Sequence, residues 1–91
     1  MYYVYAISSL GKKYIYVGIT SNLSARLKRH NSGHERTTRP YRPFKLILHE
    51  GYLTRQEARE REKFLKSGVG KEYLRRLERT GRVGLPAVTP G

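Results

Sequence analysis

Two short stretches dominate what this chain can become. Tyr2-Tyr3-Val4-Tyr5-Ala6-Ile7-Ser8 and Tyr14-Ile15-Tyr16-Val17-Gly18-Ile19 consist almost wholly of aromatic and β-branched residues. Such side chains lose rotamer freedom on a helix and pack well on a pleated surface, so both segments read as strands. Ser8-Ser9-Leu10-Gly11-Lys12-Lys13 separates them as a turn, with Gly11 its expected pivot. The pair is therefore a hairpin. Alternation puts Tyr3 and Tyr5 on one face of the first strand, and Tyr14, Tyr16 and Gly18 on one face of the second. The expected result is a tyrosine-lined patch, with Gly18 leaving room for a backbone or a ligand to come close.

The rest of the chain supplies helices and one more strand. Ser21 or Asn22 can cap a helix that runs to Ser32, and Gly33 is a natural stop. A basic, proline-bearing loop follows from His34 to Pro43. Phe44-Lys45-Leu46-Ile47-Leu48-His49-Glu50 reads as a third strand. Thr54-Arg55-Gln56-Glu57 is a capping box, with Leu53 and Ala58 placed as a hydrophobic staple. That helix should reach Lys66. Ser67-Gly68-Val69-Gly70 should break it before a short helix ending near Arg79. The expected fold is α/β of the α+β type: a small three-stranded antiparallel sheet flanked by helices. Residues 1–79 form the expected single domain, and 80–91, with Gly81, Gly84, Pro86 and Pro90, a flexible tail.

Charge narrows the partner. Nineteen Lys and Arg stand against seven acids, all Glu, for a net charge of +12. A balance this basic favours a polyanion, because each neutralised phosphate releases counterions. Nucleic acid is the first candidate, DNA with RNA possible. Ribosomal or membrane-surface binding is the bland alternative, charge alone does not choose between them, and no protein partner is readable. No apolar run approaches the ~20 residues that cross a bilayer, so no membrane span is expected. Met1 leads straight into a strand pattern, which argues against a signal peptide. With no cysteine, disulfides and thiolate metal sites are excluded. Cytoplasmic residence is expected, at the nucleoid if DNA is the partner.

Helical phase then selects residues able to do chemistry. With Leu23 and Leu27 as the core stripe of the first helix, Arg26 and His30 fall beside it, one turn apart. On the second helix Ala58 and Leu65 define the inward stripe, and Glu62 lies on it. A carboxylate there needs a cation, a metal or a hydrogen-bond network. Purely structural roles stay open: Arg26 can snorkel, His30 can be a satisfied boundary residue, and Glu62 can pair with Arg26 or Lys66. The chemical alternatives thin out quickly. There is no Cys, no Asp and no Gly-x-Ser-x-Gly elbow for a nucleophilic triad. His30, His34 and His49 have no zinc spacing, one inward glutamate is too few for a two-metal nuclease, and no P-loop is present. What remains is one-metal phosphodiester hydrolysis. A single carboxylate holds a largely hydrated Mg²⁺, arginine stabilises developing charge, and tyrosine or histidine moves the proton.

These residues resemble the GIY-YIG nuclease superfamily, and within it the small single-domain bacterial proteins. Tyr3-Val4-Tyr5 stands where the family has Gly-Ile-Tyr, and Tyr16-Val17-Gly18 where it has Tyr-Ile-Gly. Ile19-Thr20-Ser21-Asn22-Leu23, Arg26-Leu27 and His30-Asn31 look like its helix signature. Ala58 through Glu62 to Leu65-Lys66 looks like its glutamate-bearing helix. The resemblance covers residues 2–79.

The resemblance implies a DNA endonuclease using a single Mg²⁺ or Mn²⁺ ion. Glu62 would be the metal ligand, and Arg26 would hold the scissile phosphate. Tyr5 and Tyr16 would line the site, and His30 would act as base or relay. Which of Tyr5, Tyr16 and His30 takes the proton stays open. Tyr3 replaces the family's first glycine, which narrows the expected groove. No separate DNA-binding domain is readable. Backbone binding then falls to Arg36, Arg39 and Arg42 of the loop, and to Lys66, Lys71, Arg75, Arg76 and Arg79 of the later helices. Such contacts position a duplex without reading its sequence. The alternative is a nucleic-acid-binding module with the same fold and little or no turnover; a basic RNA-bound structural protein is a third reading.

Overall fold

The computed structural model describes residues 1–80, so the expected tail lies outside the described residues except for Thr80, which belongs to the last helix. Three strands and three helices follow in the order β1 (Tyr2–Ser9), β2 (Ile15–Thr20), α1 (Leu23–Ser32), β3 (Phe44–Tyr52), α2 (Arg55–Lys66) and α3 (Gly68–Thr80). One 3₁₀ turn, Arg39–Tyr41, sits between α1 and β3. The sheet is antiparallel with β1 in the centre and β2 and β3 at its edges.

Being central, β1 is buried on both faces, and its alternation sorts two unlike layers. Val4 and Ala6 join Val17, Ile47, Leu48, Ala58, Leu65 and Leu74 in an aliphatic core under α2 and α3. Tyr5 and Ile7 face the other way, with Phe44 and the partly buried Tyr14, Tyr16, Leu23, Leu27 and Tyr41, under α1 and the 3₁₀ turn. Ile47 and Leu48 are consecutive yet share the aliphatic layer. A β-bulge permits this: Ala6 faces Leu48 while Ile7 faces Leu46, so Ile47 is the extra residue.

The local signals mostly act as the sequence suggests, with instructive exceptions. Asn22 caps α1 by accepting from the Ala25 amide at 3.1 Å, and Gly33 ends it at φ 85°, a left-handed conformation that favours glycine. In the β1–β2 turn, however, Gly11 has no positive φ and open space where a Cβ would stand. Ser9 is the pivot instead. Its hydroxyl accepts from the Gly11 and Lys12 amides and donates to the Tyr41 carbonyl at 2.6 Å, which ties the turn to the 3₁₀ segment.

The Thr54–Glu57 capping box is formed, but Leu53 is 79% exposed, so there is no staple to the buried Ala58. Between α2 and α3 only Ser67 leaves the helical path. Its hydroxyl accepts from the Gly70 amide at 3.2 Å, and α3 has already begun at Gly68. Gly70 serves close packing rather than breaking the chain, because a Cβ there would lie 2.1 Å from the Phe64 carbonyl oxygen and 2.5 Å from Leu65 Cα.

Those contacts are backbone and cannot swing aside. Gly70→Ala is therefore expected to destabilise the protein by about 2–4 kcal/mol, in the range of core overpacking or worse. Gly68→Ala, with nothing within 4 Å of its Cβ, should be neutral or stabilising by up to about 1 kcal/mol. Urea unfolding of the two variants beside the parent checks the contrast; equal midpoints for the two would refute the packing role.

Candidate active site

Tyr5 sits at the middle of the central strand with no exposed surface, so its hydroxyl must find a partner inside the protein. Directly across on β2 is Gly18. A Cβ at Gly18 would stand 2.7 Å from the Tyr5 oxygen and 2.9 Å from Cζ. The space Gly18 leaves is thus filled by the chain's own phenol rather than by an incoming ligand.

The partner of that phenol is His30, 2.8 Å away through Nε2. His30 is the buried residue of α1, while Leu23 and Leu27 are only partly buried, so the histidine lies in the packed face rather than beside it. Its Nδ1 is 2.8 Å from the hydroxyl of Thr38, itself fully buried. The Thr38 hydroxyl leans towards the Glu35 carbonyl at 3.5 Å. With its single proton directed there, Thr38 accepts from Nδ1–H, and Nε2 is left to accept from Tyr5 O–H. Burial lowers the His30 pKa below its usual value and raises that of the Tyr5 phenol, with neighbouring Tyr16 adding to the rise and Arg26 opposing it. Both groups are accordingly neutral. Among the described residues no buried side-chain polar atom lacks a partner.

Two groups at the edge of this buried chain reach solvent. The Tyr16 ring packs 5.1 Å from the His30 ring and 6.3 Å from that of Tyr5, and is half-buried. Arg26 is about a third exposed, its Nε 4.0 Å from the Glu35 carboxylate. Glu35 is engaged more closely by Arg29 at 2.7 Å, and that hydrogen bond holds its carboxyl below the usual range. Glu35 and Thr38 were not singled out from sequence. Glu35 carried a signal, as the one acid in the basic loop from His34 to Pro43; Thr38 carried none.

Tyr5, Tyr16, Arg26 and His30 thus come together on the α1 face. Glu62 comes from α2, on the other face of the sheet. Its side chain is 18% exposed, and its carboxylate lies 3.1 Å from Lys66, so the expected Lys66 pairing is the one formed. At about 100° per residue, Arg61 and Glu62 flank the Ala58–Leu65 stripe on opposite sides. Arg61 reaches β3, where it meets Glu50 with two bonds of 2.8 and 3.0 Å. Glu62 therefore lies on the flank away from β3. Among the described residues no three His, Asp or Glu gather as a metal cluster. A single partly exposed carboxylate does fit a magnesium ion that keeps most of its water, since hard oxygen ligands and few protein donors are what that ion takes.

The basic residues fall into separate patches. Arg36, Arg39 and Arg42 are exposed around the 3₁₀ turn. Lys66 is half-exposed and holds Glu62. Arg76 borders a depression with Arg61, Phe64 and Val69, whereas Lys71, Arg75 and Arg79 line a different groove with Lys12 and Lys13.

Comparison with known proteins agrees with this architecture. The family described as the GIY-YIG catalytic domain matches residues 1–75. A UPF0213 protein of Clostridium perfringens is 37% identical over 67 residues, which are 72% of this chain and 71% of that protein. One from Staphylococcus haemolyticus is 31% identical over 78 residues, 85% of this chain and 94% of that one. The solution NMR structure of a UPF0213 protein from Bacillus halodurans superposes with a TM-score of 0.53 at 28% identity, covering 97% of this chain and all of that one. With the two tyrosine triplets on adjacent strands and Arg26 and His30 on α1, the chain belongs to the GIY-YIG family and carries its nuclease-type catalytic fold.

Proposed function

We infer that this protein is a divalent-metal-dependent endonuclease that hydrolyses DNA phosphodiester bonds, guided by the shape of its substrate rather than by sequence. The observation that carries this reading is the division of labour on the α1 face. Tyr5, His30 and Thr38 form a dry, satisfied chain, and beside it stand Tyr16 and Arg26, both partly exposed. A structural hydrogen bond alone would not require an arginine held loosely, 4.0 Å from its carboxylate.

Each residue has a distinct task. Arg26 takes a non-bridging phosphate oxygen and steadies the charge that grows there, leaving Glu35 to Arg29. Tyr16 is partly exposed where Tyr5 is fully buried, so it is the tyrosine assigned to orient the attacking water. Tyr5 and His30 are sealed from solvent and act as positioning residues: they fix the ring of Tyr16 and the height of Arg26. Glu62 would hold the Mg²⁺ or Mn²⁺ ion, which supplies Lewis acidity to the phosphate when bound. Cationic contacts from Arg36, Arg39, Arg42, Lys66, Lys71, Arg75 and Arg76 would supply backbone affinity without base readout.

One observation favours a second reading, a binding module with little turnover. Glu62 approaches from the opposite face and is already paired with Lys66. A cleavage assay separates the two. Parent, Glu62→Ala, Tyr16→Phe and Arg26→Lys are tested at low salt on duplex, single-stranded, flapped and branched DNA and on RNA, with Mg²⁺, Mn²⁺ or EDTA. The nuclease reading expects metal-dependent cutting that falls by on the order of 10²-fold or more in Glu62→Ala. Arg26→Lys should lose most activity while DNA affinity stays within about twofold, because lysine keeps the charge but not the planar donor fork. Binding by every variant with cutting by none supports the module.

The reading also needs His30 neutral, so that Nε2 can accept from Tyr5. That requirement has a pH signature. The folded pKa lies below the unfolded value of about 6.5. The unfolded chain therefore takes up a proton that the native one refuses. The resulting stabilisation is present in full above the unfolded pKa and is lost as pH falls through the folded one. Urea midpoints should decline as pH drops below about 6.5, and His30→Gln should flatten that decline. The contribution of Glu35 disappears only lower, because the Arg29 hydrogen bond holds its carboxyl below the usual carboxylate range. Parallel pH profiles for parent and His30→Gln would contradict a neutral, hydrogen-bonded His30.

A further inference from the structure

The cations of the β1–β2 turn lie away from Arg26, in a place of their own. Lys12 and Lys13 from the turn, and Lys71, Arg75 and Arg79 from α3, line one groove of about 630 Å³. Positions 71, 75 and 79 are each one helical turn apart, so α3 presents them as a single stripe. Lys71 is anchored across the groove, its ammonium donating to the Ile15 carbonyl at 3.4 Å. Glu78 is the acid among the lining residues, and its carboxylate is occupied by the Ser8 hydroxyl at 2.5 Å and Lys45 at 3.7 Å. The pairing of Arg75 with Glu72, at 3.8 Å and exposed on both sides, is too weak to hold it. Five cations therefore face one engaged acid in a concave site. Such crowding repels itself and favours a bound polyanion.

Its place relative to the candidate active site gives it meaning. Tyr14 and Ile15 line the groove, and Tyr16 and Gly18 follow on the same chain segment. Tyr16 directly follows Ile15, about 3.3 Å along the strand, which is about one phosphate step of a B-form strand.

We propose that this groove is a second phosphodiester site, which holds the nucleic-acid backbone immediately beside the bond presented to Arg26 and Tyr16. That register rests on the nuclease reading; the anion site does not. Contacts made to phosphate alone give affinity and register along the strand without sequence preference.

The test is a binding assay in EDTA, so a chain that never cuts still reports. Fluorescence anisotropy follows single-stranded oligothymidylates of about two, four and eight nucleotides binding to the full chain, at several salt concentrations. Lys13→Ala/Arg75→Ala/Arg79→Ala removes three of the five groove cations and spares Lys12 and the anchored Lys71. Arg55→Ala/Arg59→Ala/Lys63→Ala removes the same charge from the outer face of α2. All six positions are exposed, so neither triple variant disturbs packing. The parent and the α2 variant should gain affinity from the shortest to the longest oligonucleotide. The groove variant should lose that gain, bind the longest on the order of tenfold more weakly, and show a salt slope shallower by roughly 2, at ~0.7 per lost contact. A loss no larger than that of the α2 control would overturn the groove. A uniform loss at every length, or no length gain in the parent, would overturn the register with the catalytic face.

Discussion

One hydroxyl organises this protein. Tyr5 lies at the centre of the central strand, where water cannot reach its oxygen. Leaving it unpaired there would cost about 1–3 kcal/mol, a large share of what a domain this small can muster. His30 satisfies it, and to do so α1 must lie over β1 with its histidine turned inward. The second nitrogen of the ring then needs its own partner, which is why Thr38 is drawn into the core from a loop otherwise full of exposed cations. Gly18 follows from the same constraint, because any Cβ there would collide with the phenol. Four positions spread over 34 residues of sequence are thereby fixed by one buried oxygen.

The other face of the sheet obeys different physics. It is aliphatic and dry, and it depends on close approach rather than on hydrogen bonds. The bulge at Ile47 drives two consecutive side chains into it, and Gly70 lets α3 come against the end of α2. A core built this way resists deformation. It can hold α2, and with it Glu62, at a set height while the α1 face keeps its polar groups.

Much of this was legible before any coordinates. Strand alternation, the Asn22 and Gly33 caps and the Thr54–Glu57 box are local rules, and each was obeyed. The triplets and the phase of α1 marked Tyr5, Tyr16, Arg26 and His30. What stayed hidden was tertiary. Ser9 displaced Gly11 as the turn pivot because its hydroxyl also reaches Tyr41, a residue 32 positions away. Gly70 read as a helix breaker because nothing in the sequence reveals that Phe64 stands against it. His30 read as a boundary residue because an imidazole looks polar until both nitrogens are known to be bound. Thr38 gave no sign at all, since threonines in basic loops are ordinarily solvated.

The proposed nuclease reading requires groups on opposite faces to serve one phosphate. A substrate cannot pass through the sheet, so only an edge will do. β3 is the less suitable edge, since Arg61 and Glu50 close the α2 side there. β2 is the other, and Tyr16 stands on it, with Arg26 following on α1 and Glu62 on the flank of α2 away from β3. A free edge strand is ordinarily a liability, because its unpaired backbone groups invite a second strand. Lysines are a common defence, and Lys71 donates to the Ile15 carbonyl while Lys12 and Lys13 crowd the turn. The same charges that discourage another β-strand attract a phosphodiester one. On this reading the basic balance of the chain and its small sheet are two halves of one arrangement: an edge kept open to a polyanion and closed to protein.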